Sequence, residues 1–276
     1  APFFVALDKG WFEEEGLDVT IDSGAGSRES IPRVATGVYD MGFGDVNALI
    51  KFLNDNPDAD VRAVFMVYDK PPFAVIGRKE QGVTEDPQSL EGKTLGAPPP
   101  DAAFAQWPAF VEVAGIDTSD ITIESVGFPV REPMLAQGQV DAIFGYSFSS
   151  VLNLKAQGIP EEDISLILMA DNGLDLYGNT VIVNTDWAAE NPDAVTGFLN
   201  ALARGLAFTA ENPAEAVESV MARNEVASEA TELERLEMAL EQNILTDAVA
   251  GHGFGAIDAD RFASSIETLG TSFELD

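Results

Sequence analysis

Residues 35–45 read ATGVYDMGFGD, and a similar stretch, AQGQVDAIFGY, returns about a hundred residues later at positions 136–146. Alanine, glycine, aspartate, phenylalanine and glycine recur in register, and each copy follows an amphipathic, helix-like segment. Gly37 and Gly138 fit the left-handed residue that ends a helix. The short apolar runs that follow predict buried strands, each with a second glycine at its exit. The sequence therefore predicts one helix–strand unit used twice, unless two common local patterns match by accident.

The rest of the chain continues the same alternation of helix and strand. Residues 17–22 alternate apolar and polar side chains and predict a strand, whereas the chain beyond Pro192 predicts helices. Strands that alternate with helices indicate an α/β fold with parallel-rich sheets. Because ligands of open α/β sheets bind at the carboxyl ends of the strands, two similar lobes predict a ligand held between them.

The order of the elements also predicts where the two lobes begin and end. The chain is expected to leave lobe one near residue 78 and to return near residue 181. Lobe one then comprises residues 1–78 and 182–276, and lobe two comprises residues 79–181. Two crossings of this kind would form a hinge on which the lobes close over a ligand.

Composition excludes several classes of function. The 276 residues include 47 acidic and 15 basic side chains, for a formal net charge of -32, and such a surface repels nucleic acid. Solubility or a salty medium explains this charge better than a cationic ligand does, because the acids are spread along the whole chain. No apolar run is long enough to span a bilayer. We expect a soluble binding domain without a nucleic-acid partner.

The chain offers little material for catalysis or metal binding. It has no cysteine and one histidine, His252, so a Cys–His pair and multi-histidine metal sites are impossible. No pair of carboxylates stands out among the acids. We therefore predict no catalytic residue, no metal and no cofactor.

Candidate ligand contacts of lobe one lie at predicted strand ends and crossings. Asp45 could cap the next helix or accept a hydrogen bond from a ligand donor. The loop 24–27 is either a plain turn or a set of backbone N–H groups that face a polar ligand. Tyr68 and Tyr177 lie at the two crossings, where aromatic side chains could line a pocket. The candidates of this lobe are Ser27, Asp45, Asn47, Tyr68, Tyr177 and Asn179.

Candidate contacts of lobe two surround the segment GAPPPDAA at 96–103. Asp101 is predicted to cap a helix whose first N–H groups could bind an anion or a carbonyl oxygen. Arg131 could clamp a carboxylate or sulfonate, or pair instead with Glu132 or another neighbour. The candidates of this lobe are Pro98, Asp101, Ala102, Arg131 and Tyr146.

Three motifs give the sequence a family resemblance. The opening A-x-x-x-G-x-F-x-x-x-G-L-x-V is matched by Ala6, Gly10, Phe12, Gly16, Leu17 and Val19. A second motif, L-A-x-G-x-x-D-x-G, is matched by Ala35, Gly37, Asp40 and Gly42. The third, L-x-G-K-x-x-G, is matched by Leu90, Gly92, Lys93 and Gly96. The chain resembles the periplasmic solute-binding proteins of ABC importers for nitrate, sulfonates, taurine and thiamine pyrimidine precursors.

The resemblance implies a type 2 periplasmic binding protein fold, with two α/β lobes and a two-stranded hinge. It implies a periplasmic monomer that captures a sulfonate, nitrate or pyrimidine-type solute and delivers it to an ABC permease. The export signal would not be part of this chain. Family members normally begin with a strand that precedes the segment matching Pro2, so a first strand of lobe one is expected to be missing. The alternatives are a pyrimidine-forming enzyme, which the lack of cysteine disfavours, or a sensor module.

Overall fold

The computed structural model covers most of the chain and contains both helices and strands. It describes residues 1–24, 26–224, 227–273 and 275. No helix within these ranges is both long enough and apolar enough to cross a bilayer.

The described residues form two compact units. Unit 1 consists of Ala1–Asp69 and Tyr177–Asp258, and unit 2 consists of Lys70–Leu176 and Ala259–Asp276. The structure thus divides the chain differently from the predicted lobes. The crossings come some residues earlier than expected, and a third crossing before Ala259 places the C-terminal helix in unit 2.

Strands occur in both units. They are β1 (Met41–Asp45), β2 (Val61–Met66), β3 (Phe73–Arg78), β4 (Thr94–Ala97), β5 (Thr122–Ser125), β6 (Ala142–Tyr146), β7 (Ile164–Leu168) and β8 (Asn179–Asn184). A β-bulge interrupts the pairing of β2 between Ala63 and Phe65.

Helices make up most of the remaining structure. They are α1 (Pro2–Asp8), α2 (Trp11–Glu14), α3 (Ser27–Ala35), α4 (Val46–Asp55), α5 (Ala102–Ala105), α6 (Trp107–Ala114), α7 (Phe128–Ala136), α8 (Ser147–Ala156), α9 (Thr185–Glu190), α10 (Pro192–Glu211), α11 (Pro213–Met221), α12 (Glu229–Ala239), α13 (Asp247–His252) and α14 (Ala259–Ser272). A π-helical turn, Leu240–Ile244, follows α12.

The sheet of unit 1 has the strand order β1-β8-β2, and both pairings are antiparallel. Successive residues of its central strand face opposite sides, as the period of a strand requires. Val181 packs with Phe65 and Leu202, whereas Ile182 packs with Ile31 and Val61. The sheet therefore separates two apolar clusters, and the prediction of a parallel-rich sheet is wrong here because the returning strand β8 lies between β1 and β2.

The sheet of unit 2 has the order β5-β4-β6-β3-β7. Strand β4 is parallel to β5 and β6, whereas β3 is antiparallel to β6 and β7. Because β3 pairs in this sheet, the crossing comes before Phe73 rather than near residue 78. Helix α14 packs on α6, and Arg261 Nε donates to Asp175 Oδ1 at 2.7 Å, which places the C-terminal helix in this unit.

The predicted strand at residues 17–22 is absent. The segment is irregular, and Leu17 and Val19 pack against a cluster of Ala6, Phe12 and Ala201. The alternation of apolar and polar residues is present, but Leu17 and Val19 are only partly buried and pack against helices instead of forming one face of a sheet. A strand needs a partner as well as a pattern, and none of the described strands pairs with this segment.

The repeat seen in the sequence is a repeat of structure. Helix α7, strand β6 and helix α8 reproduce α3, β1 and α4 with the same lengths, displaced by 101 residues. Gly37 and Gly138 take positive φ angles of 72° and 69° after their helices, so both helix ends are as predicted. Ser30 Oγ donates to Phe43 O at 3.3 Å, and at the equivalent position Arg131 Nη1 donates to Phe144 O at 3.1 Å.

The glycines near the ends of the two repeated strands, Gly44 and Gly145, predict losses of stability of different size when they are replaced by alanine. A Cβ at Gly145 would lie 2.5 Å from Ser150 Oγ and 3.1 Å from the guanidinium carbon of Arg131, whereas at Gly44 the nearest atom is Ser30 Oγ at 3.4 Å. We expect Gly145→Ala to lower the free energy of unfolding by about 1–3 kcal/mol, because the buried neighbours must shift. The matched Gly44→Ala should cost much less. Urea unfolding measures both, and equal losses would contradict the packing described.

Candidate functional site

The predicted contacts of unit 1 lie at one end of the strands of its sheet. Strands β1 and β2 end on this side and β8 begins there, because β8 runs antiparallel to both. Asp45 at the end of β1 lies directly opposite Asn179 at the start of β8. Backbone hydrogen bonds from Tyr68 N to Asn179 O at 2.9 Å and from Gly178 N to Tyr68 O at 2.9 Å add the chain after β2.

Asp45 is buried and caps helix α4. Its Oδ1 accepts from Ala48 N at 2.8 Å, its Oδ2 accepts from Asn47 Nδ2 at 3.1 Å, and its own N donates to Ser27 Oγ at 2.9 Å. Burial raises the pKa of the Asp45 carboxyl to about 7, although the hydrogen bonds from Ala48 and Asn47 favour the charged form. Of the two predicted roles, helix capping is the one present in the structure.

Asn47 links helix α4 to the entrance of β8. Its Nδ2 donates to Tyr177 O at 2.8 Å as well as to Asp45. The side chain is only 1% exposed. Its Oδ1 has no hydrogen-bond partner among the described residues.

Two tyrosines complete this group of residues. Tyr68 contacts the ring of Phe43 edge-on at 5.8 Å, and loss of solvation raises the pKa of its hydroxyl to about 12, so it stays neutral. Tyr177 is buried, and its hydroxyl accepts from Asp258 N at 3.0 Å. Ser27 begins α3 and contacts Asp45 as above. Ala25 of the predicted loop lies outside the described residues.

The predicted contacts of unit 2 also lie at one end of the strands of its sheet. Strands β4, β5 and β6 are parallel, so their carboxyl ends lie together. Asp101 N donates to the carbonyl of the buried Pro98 at 2.9 Å. Asp101 Oδ1 accepts from Ala103 N at 2.8 Å and from Phe104 N at 3.1 Å, so the predicted cap of the helix that begins at Ala102 is present. Burial raises the pKa of Asp101.

Arg131 is a buried cation held by two carboxylates. Its Nη1 contacts Asp101 Oδ2 at 3.0 Å, and its Nε contacts Glu132 Oε1 at 2.8 Å. Ser150 Oγ donates to the same Glu132 oxygen at 2.9 Å. Of the two alternatives for Arg131, pairing with Glu132 is the one that the structure contains. Breaking a buried pair typically costs about 3–5 kcal/mol, so these contacts hold α7 against α5 and β6.

Aromatic side chains lie at the end of strand β6 and at the start of helix α7. Tyr146 lies 5.9 Å from the ring of Phe73 and 6.1 Å from the ring of Phe148, and it is partly exposed. Phe128 at the start of α7 is 45% exposed. Partly exposed aromatic side chains at a strand end form a surface suited to a flat apolar ligand.

Sequence reasoning missed Phe128 and Phe148, although the repeat carried the signal. Shifted by 101 residues, Ser27 corresponds to Phe128, and Asn47 corresponds to Phe148. Because Ser27 and Asn47 are candidates in the first copy, the repeat indicates Phe128 and Phe148 as candidates in the second. The sequence indicates Glu132 only as a partner for Arg131, and nothing in the local pattern predicts its contact with Ser150.

The buried Asp45 carboxyl predicts a specific pH dependence of stability. Its pKa is higher in the folded state than in the unfolded state, so the folded state binds the proton more tightly, and stability is lost as pH rises from about 4 to about 7. Asp45→Asn removes this loss. The free energy of unfolding of the wild type, relative to Asp45→Asn, should fall by at most about 1.4 kcal/mol per pH unit across that window.

Urea unfolding from pH 4 to pH 8 measures this difference. The exposed Asp58→Asn serves as the control for removing one charge. If the free energy of unfolding depended on pH in the same way for the wild type and Asp45→Asn, the raised pKa of the Asp45 carboxyl would be contradicted.

Curated relatives include both binding proteins and enzymes. The riboflavin-binding protein RibY of Chloroflexus aurantiacus is 27% identical over 78% of this chain and 60% of its own length. A 4-amino-5-hydroxymethyl-2-methylpyrimidine phosphate synthase of Aspergillus parasiticus is 27% identical over 79% of this chain and 65% of its own. The formylaminopyrimidine-binding protein of Halalkalibacterium halodurans is 28% identical over 82% and 67%. The chain spans about three fifths to two thirds of the length of these relatives.

Solved structures establish the fold. The periplasmic aliphatic sulphonate binding protein SsuA of Escherichia coli matches with a TM-score of 0.77 and 15% identity, over 99% of this chain and 83% of its own. A Candida albicans protein described as having the generic periplasmic binding protein fold matches with a TM-score of 0.68 and 16% identity, over 98% and 85%. The predicted mixed α/β fold, that of the periplasmic binding proteins, is confirmed.

The family is established by a match over most of the chain. The family model described as NMT1/THI5 like covers residues 1–216. The resemblance carried by the three sequence motifs is therefore confirmed: the chain belongs to the NMT1/THI5-like family.

Proposed function

We propose that this chain is the extracytoplasmic solute-binding component of an ABC importer. It captures a small organic or anionic solute of the sulfonate, nitrate or pyrimidine type and delivers it to a membrane permease. It acts in the periplasm as a monomer. Relatives named as riboflavin-binding and formylaminopyrimidine-binding proteins support this role, as does the fold shared with a sulphonate-binding protein.

The observation that carries the proposal is the side-chain composition of the repeated strand ends. In each unit, the end of the repeated strand and the start of the next helix carry side chains that are either buried and polar or aromatic and only partly buried. Asp45 and Asn47 occupy these positions in unit 1, and Tyr146 and Phe148 occupy them in unit 2. Strand ends are where α/β folds bind ligands, so we assign solute binding to these two groups.

An enzyme of the pyrimidine phosphate synthase type is the second candidate, because curated synthases match at similar identity. The residues disfavour it. The chain has no cysteine, and its single histidine, His252, is exposed at the end of the short helix α13. A catalytic histidine needs partners that position it, and nucleophilic chemistry on a thiol has no residue to use.

A thermal-shift panel separates these functions. The protein is heated with riboflavin, formylaminopyrimidine, ethanesulfonate, taurine and nitrate. A bound solute at about a hundred times its Kd should raise the melting temperature by roughly 5 °C or more, because it binds only the folded state.

Mass spectrometry of the bound solute distinguishes binding from catalysis. The proposal predicts that the solute is recovered chemically unchanged. Recovery of a new pyrimidine product would favour the enzyme, and an unchanged melting temperature with every probe would contradict solute binding.

A further inference from the structure

The most unusual group in unit 1 is a buried amide oxygen, Asn47 Oδ1. The amide nitrogen of the same side chain donates to Asp45 Oδ2 and to Tyr177 O, and both of these atoms are acceptors. The orientation of the amide is therefore fixed by its partners, and the oxygen must point elsewhere. Within the part of the chain that the structure describes, no donor reaches it.

A second amide oxygen nearby is in the same condition. Asn179 Oδ1 is buried and has no partner among the described residues. Asn179 lies opposite Asp45 in the antiparallel pair of β8 and β1, so the two side chains share a face of the sheet with Cβ atoms about 5 Å apart. A buried acceptor left without a hydrogen bond destabilises the folded state. Two such acceptors beside a carboxyl group form a place that suits a hydrogen-bond donor.

Several groups that would suit an oxoanion are already engaged. Ala48 N at the start of α4 donates to Asp45, and Ala103 N and Phe104 N at the start of α5 donate to Asp101. Arg131 is held by Asp101 and Glu132. The protein's own carboxylates thus occupy the start of α5 and pair with Arg131, the two anion-binding positions that the sequence suggested in unit 2. An oxoanion placed beside Asp45, Asn47 and Asn179 would face acceptors.

Resting on the proposed solute-binding function, we infer that the strand end of unit 1, formed by Asp45, Asn47 and Asn179, binds the N–H-bearing edge of a nitrogen heterocycle. An amino or imide group donates to the Asn47 and Asn179 oxygens. The site selects against sulfonates and nitrate, because those ligands bring acceptors to acceptors. A site built to hydrogen-bond a donor also rejects an analogue that lacks it, since its buried acceptors then stay unpaired.

Calorimetric titration of the wild-type protein with matched ligands tests this directly. The probes are riboflavin with N3-methylriboflavin, and 4-amino-5-hydroxymethyl-2-methylpyrimidine with its 4-dimethylamino analogue. Nitrate and ethanesulfonate represent the oxoanions. We expect at least one parent heterocycle to bind, its methylated partner to bind roughly tenfold or more weakly, and neither oxoanion to bind.

A pair of matched variants locates the effect. Asn47→Leu removes the unpaired oxygen, so parent and methylated ligands should then bind within about twofold of each other. Asn184→Leu is the control, because Asn184 is a buried asparagine at the far end of β8 whose amide is satisfied at both ends. Its Nδ2 donates to Val34 O at 3.0 Å and its Oδ1 accepts from Trp187 N at 3.0 Å. This control should keep the tenfold preference at a lower melting temperature.

The possible outcomes separate this inference from the proposed function. Binding of an oxoanion alone, with the same affinity in Asn47→Leu, would overturn the inference and leave solute binding intact. A parent heterocycle that binds no better than its methylated form would do the same. Absence of binding by every probe would overturn both. If Asn47→Leu fails to fold, the ligand pairs on the wild-type protein still decide.

Discussion

The buried Asp45 carboxyl is the point on which the strand end of unit 1 depends. Its Oδ1 caps α4 and its Oδ2 accepts from Asn47, whose amide reaches on to Tyr177 O. Its backbone N donates to Ser27 at the start of α3. One residue thereby connects the helix before β1, the helix after it and the entrance of β8. A charged carboxylate in this place is costly to bury, which is why its pKa is raised to about 7.

The two copies of the repeat have the same order and lengths of elements, but they differ in the side chains at the end of the strand. The helices and strands have equal lengths at an offset of 101 residues. In each copy a side chain of the first helix donates to the equivalent carbonyl of the strand, from Ser30 to Phe43 O and from Arg131 to Phe144 O. At the strand end, polar Ser27 and Asp45 correspond to aromatic Phe128 and Tyr146. The polar copy offers acceptors, whereas the aromatic copy offers ring surface.

The sequence predicted features that depend on local chemistry. Gly37 and Gly138 ended their helices, and the apolar runs after them became strands, because helix termination and strand burial are encoded within a few residues. Asp101 was predicted to cap its helix for the same reason.

Features that depend on distant partners could not be predicted. The alternating segment at 17–22 found no partner strand, and β8 was expected to return without any indication of its antiparallel place in the sheet. The role of Arg131 depended on Asp101, thirty residues away along the chain. The unpaired Asn47 oxygen is visible only once Tyr177, 130 residues away, is known to hold the amide nitrogen.

Native mass spectrometry tests the central claim most directly. The protein is incubated with an equimolar mixture of riboflavin, 4-amino-5-hydroxymethyl-2-methylpyrimidine, ethanesulfonate and nitrate, and the mass of any retained adduct is read. We expect the protein to retain one of the two heterocycles as a 1:1 complex. An adduct of an oxoanion alone, or no adduct, would contradict it.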